Sequence, residues 1–256
     1  MNVIPEQIIW SADLPWDKIK MVIDSGALPK GTVIKLDRLF FVKNSIDIIT
    51  YCQERGYPVF VDAKIVEIPS KTLAIVQYYL EAAKPWMINV MAGVCNNGVI
   101  DSKNPEKNDT LKQFAEMCAK AGTKSCVVTV LTSKTEDMCR VEFEKTPLDQ
   151  VLKYVDLAVK CGVTDIVCSA REAEAIRQNP GYAGVQLNTP GIRLPDSSKN
   201  DQARVMTPAE ALKVGANRLV IGRDLTRGMD EASNQEELIK IIQGNYQRIM
   251  DNISAA

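Results

Sequence analysis

The chain has 256 residues, 46% hydrophobic and 25% charged, and its 31 Lys+Arg against 32 Asp+Glu exclude the basic footprint that nucleic-acid or anionic-membrane binding requires. Histidine is absent, which removes Ser-His-Asp and Cys-His nucleophile systems, His-ligated zinc and imidazole proton shuttles together. The seven cysteines are scattered without a CxxC pair, arguing against a metal or disulfide framework.

In chain order, short β-branched apolar runs alternate with longer amphipathic segments. Strands are predicted at Gln7–Ala12, Thr32–Leu36, Pro58–Ala63, Trp86–Met91, Cys126–Leu131, Asp165–Cys168, Gly184–Leu187 and Arg218–Ile221. Helices are predicted at Trp16–Ser25, Ser45–Arg55, Lys71–Lys84, Lys107–Ala121, Leu148–Lys160, Ala170–Gln178, Pro208–Val214 and Asn234–Asn252. This βα rhythm is that of a parallel sheet. Eight units over this length fit an α/β TIM (β/α)8 barrel better than an open doubly wound sheet.

No linker or composition break divides the chain, so residues 1–256 are read as a single barrel domain. Gly26, Gly56, Gly122, Gly162 and Gly215 each follow a helical pattern, where a left-handed C-terminal residue is wanted. Thr207, Pro208 and Glu210 compose a capping box. Long polar loops are expected at 96–108 and 194–204, on the face where barrels carry their active sites. The sequence lacks a membrane-length apolar run and a basic-then-apolar leader, so a cytoplasmic protein is expected.

Charges at strand ends carry the candidate chemistry. The third strand region, VFVDAKIVEIP, puts Asp62, Lys64 and Glu67 at or beyond an apolar run, while Lys35 ends the second strand and Asp13 the first. Residues two apart on a strand share a face, so Asp62 and Lys64 point the same way. Two carboxylates and two ammonium groups thus converge from three adjacent strands. A set of ion pairs closing the rim would have the same pattern, and the pattern alone does not fix a reaction. In the last quarter, TPGIR (Thr189–Arg193) and IGRDLT (Ile221–Thr226) place Pro190, Gly191 and Arg193, then Gly222 and Arg223, after strands seven and eight. Barrels commonly hold phosphate there, and arginine can grip its oxygens bidentately.

These segments together resemble a known family. Asp13 after IIWSA, Lys35 in VIKL, DAKIVEIP at Asp62–Pro69, TVLTS at Thr129–Ser133, VCSAREA at Val167–Ala173, TPGIR, DQARVMTP at Asp201–Pro208 and VIGRDLT are similar to the successive signatures of the orotidine 5′-phosphate decarboxylases. The resemblance implies a TIM-barrel homodimer, without metal or organic cofactor, that converts orotidine 5′-phosphate to UMP and CO2. It implies Asp62 facing the departing carboxylate, Lys64 protonating C6, and Lys35 keeping Asp62 ionised. It further implies Asp13 on the ribose, Ser133 on the pyrimidine edge, Gln202 bridging base and phosphate, and Gly222 with Arg223 on the phosphate.

The family's third acidic residue, supplied across the dimer interface and usually Asp, is Glu67 here. Its usual D-I-P-N-T run reads E-I-P-S-K, with Ser70 and Lys71 replacing Asn and Thr and with Thr72 next as the candidate ribose contact. Met91 stands where many members carry His. Two other readings remain: a Mg-dependent keto-sugar-phosphate decarboxylase sharing D-x-K-x-x-D, and a UMP-binding relative without turnover. Lys64 as a Schiff-base nucleophile is disfavoured, because an ammonium held by carboxylates is a poor nucleophile.

Overall fold

The computed structural model describes residues 3–37, 44–94, 110–197 and 205–255. Its strands are β1 (Ile8–Ser11), β2 (Val33–Asp37), β3 (Val59–Ile65), β4 (Met87–Met91), β5 (Lys124–Val128), β6 (Asp165–Val167), β7 (Gln186–Thr189) and β8 (Arg218–Ile221). They pair in sequence order, all parallel, and β1 closes on β8 through Ile8–Leu219, Ile9–Val220 and Trp10–Ile221. The result is a TIM (β/α)8 barrel, as expected.

Helices α1 (Trp16–Ser25), α2 (Ser45–Glu54), α3 (Pro69–Ala82), α4 (Thr110–Ala121), α5 (Glu136–Phe143), α6 (Pro147–Lys160), α7 (Ala170–Arg177), α8 (Pro208–Lys213), α9 (Arg223–Thr226) and α10 (Gln235–Ser254) accompany the strands. Their apolar faces and the outward strand residues form the larger core, in which Trp10, Tyr57, Phe114 and Ile49 are almost wholly buried.

Inside the barrel the period-2 alternation of the strands builds three strata. At the end where strands begin, Arg218 Nη1 lies 2.6 Å from Asp165 Oδ1, Asn188 donates to the same oxygen at 3.1 Å, and Arg218 lies over the Trp86 ring at 5.0 Å. In the middle Ile9, Val33, Phe60, Met87, Cys126 and Val220 pack together. Two residues further along their strands come Ser11, Lys35, Asp62 and Asn89, the charged stratum at the strand ends.

The sequence joints behave as read. All five glycines lie at positive φ; at Gly215, φ +105°, a Cβ would also stand 2.5 Å from Arg177 Cγ. The Thr207 hydroxyl accepts from Glu210 N at 3.3 Å while Glu210 accepts from Thr207 N at 2.9 Å, closing the capping box.

Several boundaries differ from expectation. Helix α5 went unread because its apolar side chains do not form a core stripe: Val141 is 86% exposed and Met138 55%, with only Cys139 buried. It is held by the Thr135 cap on Met138 N and the Glu136–Arg140 pair. β5 begins at Lys124, two residues before the predicted start, because Lys124 N donates to Trp86 O at 2.9 Å and Lys124 pairs in register with Met87 of β4. β7 begins at Gln186 because Ala183 N and Val185 N are engaged by Pro180 O and Tyr182 O in the preceding turn. α3 starts at Pro69, the favoured first position of a helix. The first residues of the predicted helix 107–121, the whole of the loop 96–108 and residues 198–204 of the loop 194–204 lie outside the described residues.

Candidate active site

β3 is irregular where its charges lie. Val61 pairs with Ile88 and Ile65 with Val90, so Asp62, Ala63 and Lys64 together face Asn89 alone. Lys64 accordingly adopts φ +45°, the left-handed region that non-glycine residues avoid. The expected shared face of Asp62 and Lys64 is therefore reached through a bulge and not a regular pleat.

That geometry gathers the charges around one carboxylate. Asp62 Oδ2 lies 2.6 Å from Lys35 Nζ and 2.6 Å from Lys64 Nζ, and Asp62 Oδ1 accepts from Asn89 Nδ2 at 2.6 Å. Lys35 also lies 3.7 Å from Asp13 Oδ1, whose other oxygen accepts from Ser11 Oγ at 2.8 Å. Burial alone would push the Asp62 carboxyl upward, but the Lys35 and Lys64 ammonium groups outweigh it and hold it well below the usual carboxylate range. For Lys35, burial acts to lower its affinity for a proton, and Asp62 and Asp13 override that and raise it. Asp62 and Lys35 thus remain an ion pair despite burial.

The sign of the resulting pH dependence follows directly. Unfolded Asp62 takes up its proton near pH 4 and the folded carboxylate only at lower pH. Between those values the unfolded chain binds more protons, so the contribution of Asp62 to stability is complete above about pH 4 and is lost as pH falls below it. The stability advantage of the wild type over Asp62→Asn is expected to shrink from pH 5 to pH 3, measured by urea midpoints; a constant difference would refute the pairing.

Around this cluster lies a cavity of about 390 Å³. Asp13, Lys35, Asp62 and Lys64 line it from the ends of β1–β3, and Pro190, Gly191, Arg193, Gly222 and Arg223 from the segments after β7 and β8. Phe60, Val128, Val167 and Val220 supply apolar lining. The strand-end loops are tied together: Arg193 N donates to Met206 O and Met206 N to Gly191 O, while Asp224 of α9 accepts from Leu194 N and Ser197 Oγ, both at 2.8 Å. Arg227 bridges Asp224 and Asp196, each at 2.9 Å.

Three sequence candidates, Ser133, Thr72 and Glu67, are not part of this lining. Ser133 is exposed, and its neighbour Thr132 lines the cavity instead, because the chain leaves β5 at Val128 and turns before α5. Thr72 is buried at the start of α3, donating to Glu67 O at 3.0 Å, and Glu67 itself is exposed on the segment between β3 and α3. Gln202 falls outside the described residues.

Sequence reading missed Ser11, Thr132 and Asn89. The signal for Asn89 was a lone amide inside the apolar run MINVM, wholly buried in the folded chain, where a polar group requires partners.

Likeness to known proteins agrees with this geometry. Residues 6–238 match the orotidine 5′-phosphate decarboxylase / HUMPS family. An orotidine 5′-phosphate decarboxylase of Pseudomonas aeruginosa is 33% identical over 235 residues, 91% of this chain and 95% of that protein. One of Pseudomonas fluorescens is 32% identical over 242 residues, 93% and 98% of the two chains. The crystal structure of orotidine 5′-phosphate decarboxylase from Lactobacillus acidophilus shares the fold at a TM-score of 0.73 and 23% identity, over 96% of this chain and 98% of that one. With a closed parallel barrel, a Lys–Asp–Lys cluster at its strand ends and this breadth of likeness, the chain belongs to the orotidine 5′-phosphate decarboxylase / HUMPS family.

Proposed function

We propose that the protein is a carboxy-lyase that converts orotidine 5′-phosphate to UMP and CO2, with Lys64 as the proton donor to C6. The observation that carries this reading is the single Asp62 oxygen shared by Lys35 and Lys64 at 2.6 Å each, at the wall of a cavity that Arg193 and Arg223 also line. As the C6–carboxylate bond breaks, its electron pair stays on C6 and takes up the proton of the Lys64 ammonium, while CO2 departs.

The Asp62 carboxylate faces the substrate's own carboxylate, a like-charge contact that is relieved when neutral CO2 forms. Lys35 keeps Asp62 anionic. The apolar lining around Phe60 and Val220 restricts water near the carbanionic carbon, where charged groups act more strongly than in bulk solvent. Asp13 takes the ribose hydroxyls, Thr132 replaces Ser133 at the pyrimidine edge, and Gly191, Arg193, Gly222 and Arg223 take the phosphate end. Both Asp62 oxygens are already engaged by ammonium or amide groups, which favours this reading over one with a divalent cation bound there.

We infer a cytoplasmic homodimer. Among the described residues no helix is long and apolar enough to cross a membrane. Exposed Val66 and Ile68 flank Glu67 in sequence, and Tyr78 is exposed on α3, which supports an assembly in which Glu67 reaches the partner's cavity; large exposed apolar groups of this kind mark interfaces.

The direct test is the fall in orotidine 5′-phosphate absorbance on adding purified protein in EDTA. Turnover is expected; tight UMP binding without turnover would favour a non-catalytic relative and point to Glu67, Ser70 and Lys71. Arg223→Ala is expected to weaken UMP by about 10–100-fold, the value of a charge-assisted contact, and to leave uridine binding unchanged. Equal losses for both ligands in calorimetry would refute the phosphate assignment.

A further inference from the structure

We propose that Asn89 is a positioning residue for the decarboxylation: one side-chain amide fixes both the Asp62 carboxylate and the left-handed backbone of Lys64. The inference rests on the functional reading above and extends it to a residue that does not line the cavity.

Asn89 is wholly buried on β4. Its Nδ2 donates to Asp62 Oδ1 at 2.6 Å, and its Oδ1 accepts from Lys64 N at 2.7 Å. The partners dictate the amide's orientation: an ionised carboxylate only accepts, and a backbone N–H only donates. The two contacts do different things. The first holds the Asp62 plane so that Oδ2 is turned toward both lysines. The second satisfies the backbone donor that the bulge removes from the β3–β4 ladder, exactly one amide facing the three residues Asp62, Ala63 and Lys64.

Lys64 needs that second contact because its φ of +45° is intrinsically unfavourable for a side-chain-bearing residue and persists only where neighbours hold it. A regular strand would separate the Asp62 and Lys64 side chains by two residue rises, roughly 6–7 Å. The bulge changes the backbone from which the Lys64 side chain sets out, and its Nζ lies 2.6 Å from Asp62 Oδ2. Asn89 therefore controls where the proton donor stands relative to the carboxylate beside it, without touching substrate.

Asn89→Asp separates the two contacts. The new carboxyl keeps the acceptor for Lys64 N but, when ionised, opposes Asp62 instead of donating to it. A displacement near 1 Å costs about 100-fold in rate, so kcat is expected to fall by about that factor at pH 8. KM and UMP affinity should stay within about threefold, because the Arg193–Arg223 end is untouched. Lowering the pH restores an O–H donor at position 89, so the ratio of variant to wild-type kcat should rise toward pH 5. The charged and titratable groups facing that position are Asp62 and Lys64 of β3, Lys35 of β2 and Cys126 of β5, and a carboxyl there titrates together with them.

An Asn89→Asp kcat within threefold of wild type, or a deficit in KM alone, or a kcat deficit independent of pH, overturns the inference. Should that variant not fold, Asn89→Thr decides. Its size and β-branching suit a strand, and its single hydroxyl reaches one partner only, so kcat should fall at least about tenfold at unchanged KM; wild-type kcat overturns the proposal. A wild type inert toward orotidine 5′-phosphate overturns the decarboxylase reading instead. Crystal structures of the variants then judge the clamp: Lys64 keeping its left-handed backbone and Asp62 its orientation without Asn89 would overturn it, and their displacement would uphold it.

Discussion

Lys64→Ala is expected to lower kcat for orotidine 5′-phosphate by about 10⁴-fold, the upper range for a positioned general acid, with UMP affinity within about threefold of wild type. The reason for the split lies in what Lys64 touches. Its Nζ contacts Asp62 at 2.6 Å, whereas the phosphate is proposed to sit on Arg193 and Arg223. Asp62 retains Lys35 and Asn89 in the variant, so no buried charge is stranded and the fold should persist. Single-turnover absorbance and UMP calorimetry on the same preparation check both halves. A kcat within tenfold of wild type would remove Lys64 from the chemistry, and a parallel loss of UMP binding would mean that it serves chiefly to hold ligand.

Arg218→Ala is expected to act oppositely, on stability and not on rate. Arg218 pairs with Asp165 at 2.6 Å, and both side chains are nearly inaccessible to water. Removing one member of such a pair leaves a buried charge uncompensated, at about 3–5 kcal/mol. For a chain of this size that corresponds to a fall of roughly 6–20 °C in Tm. The Asn188 amide and the Thr164 hydroxyl remain on Asp165 and soften the loss without replacing the charge. Substituting both partners together, as Arg218→Met with Asp165→Leu, should recover most of the stability, since an apolar pair of similar volume avoids desolvation. Calorimetric scans of the single and double variants test this; a double variant as unstable as the single would show that specific polar geometry, not charge balance, holds that stratum.

The barrel itself was readable because each βα unit carries local signals that agree with one another: β-branched runs, glycines at helix ends and the Thr207–Glu210 cap. The cavity's charged wall was readable as well, because Lys35, Asp62 and Lys64 interrupt apolar strands where charges must find partners. Features that depend on three-dimensional irregularity were not legible. A bulge leaves no mark in hydrophobic periodicity, so the left-handed Lys64 and its amide partner on the next strand were invisible. Thr132 and Ser133 are adjacent hydroxyl residues, and which of them meets the cavity depends on how the chain leaves β5. Helix α5 lacks a buried stripe, which is the signal that identifies a helix in sequence.

The stratified interior bears on how such a barrel can change. The pair that anchors the closed sheet and the cluster that faces the cavity lie at opposite ends, separated by the apolar layer of Phe60, Met87 and Val220. Substitutions at distant sites without shared partners combine nearly additively. A lineage can therefore exchange side chains at the rim and acquire a new preference, while a mutation at the far end offsets any accompanying loss of stability. Adaptability here is a property of layering: the interior keeps two independent inventories of polar residues, and selection can alter one without disturbing the other.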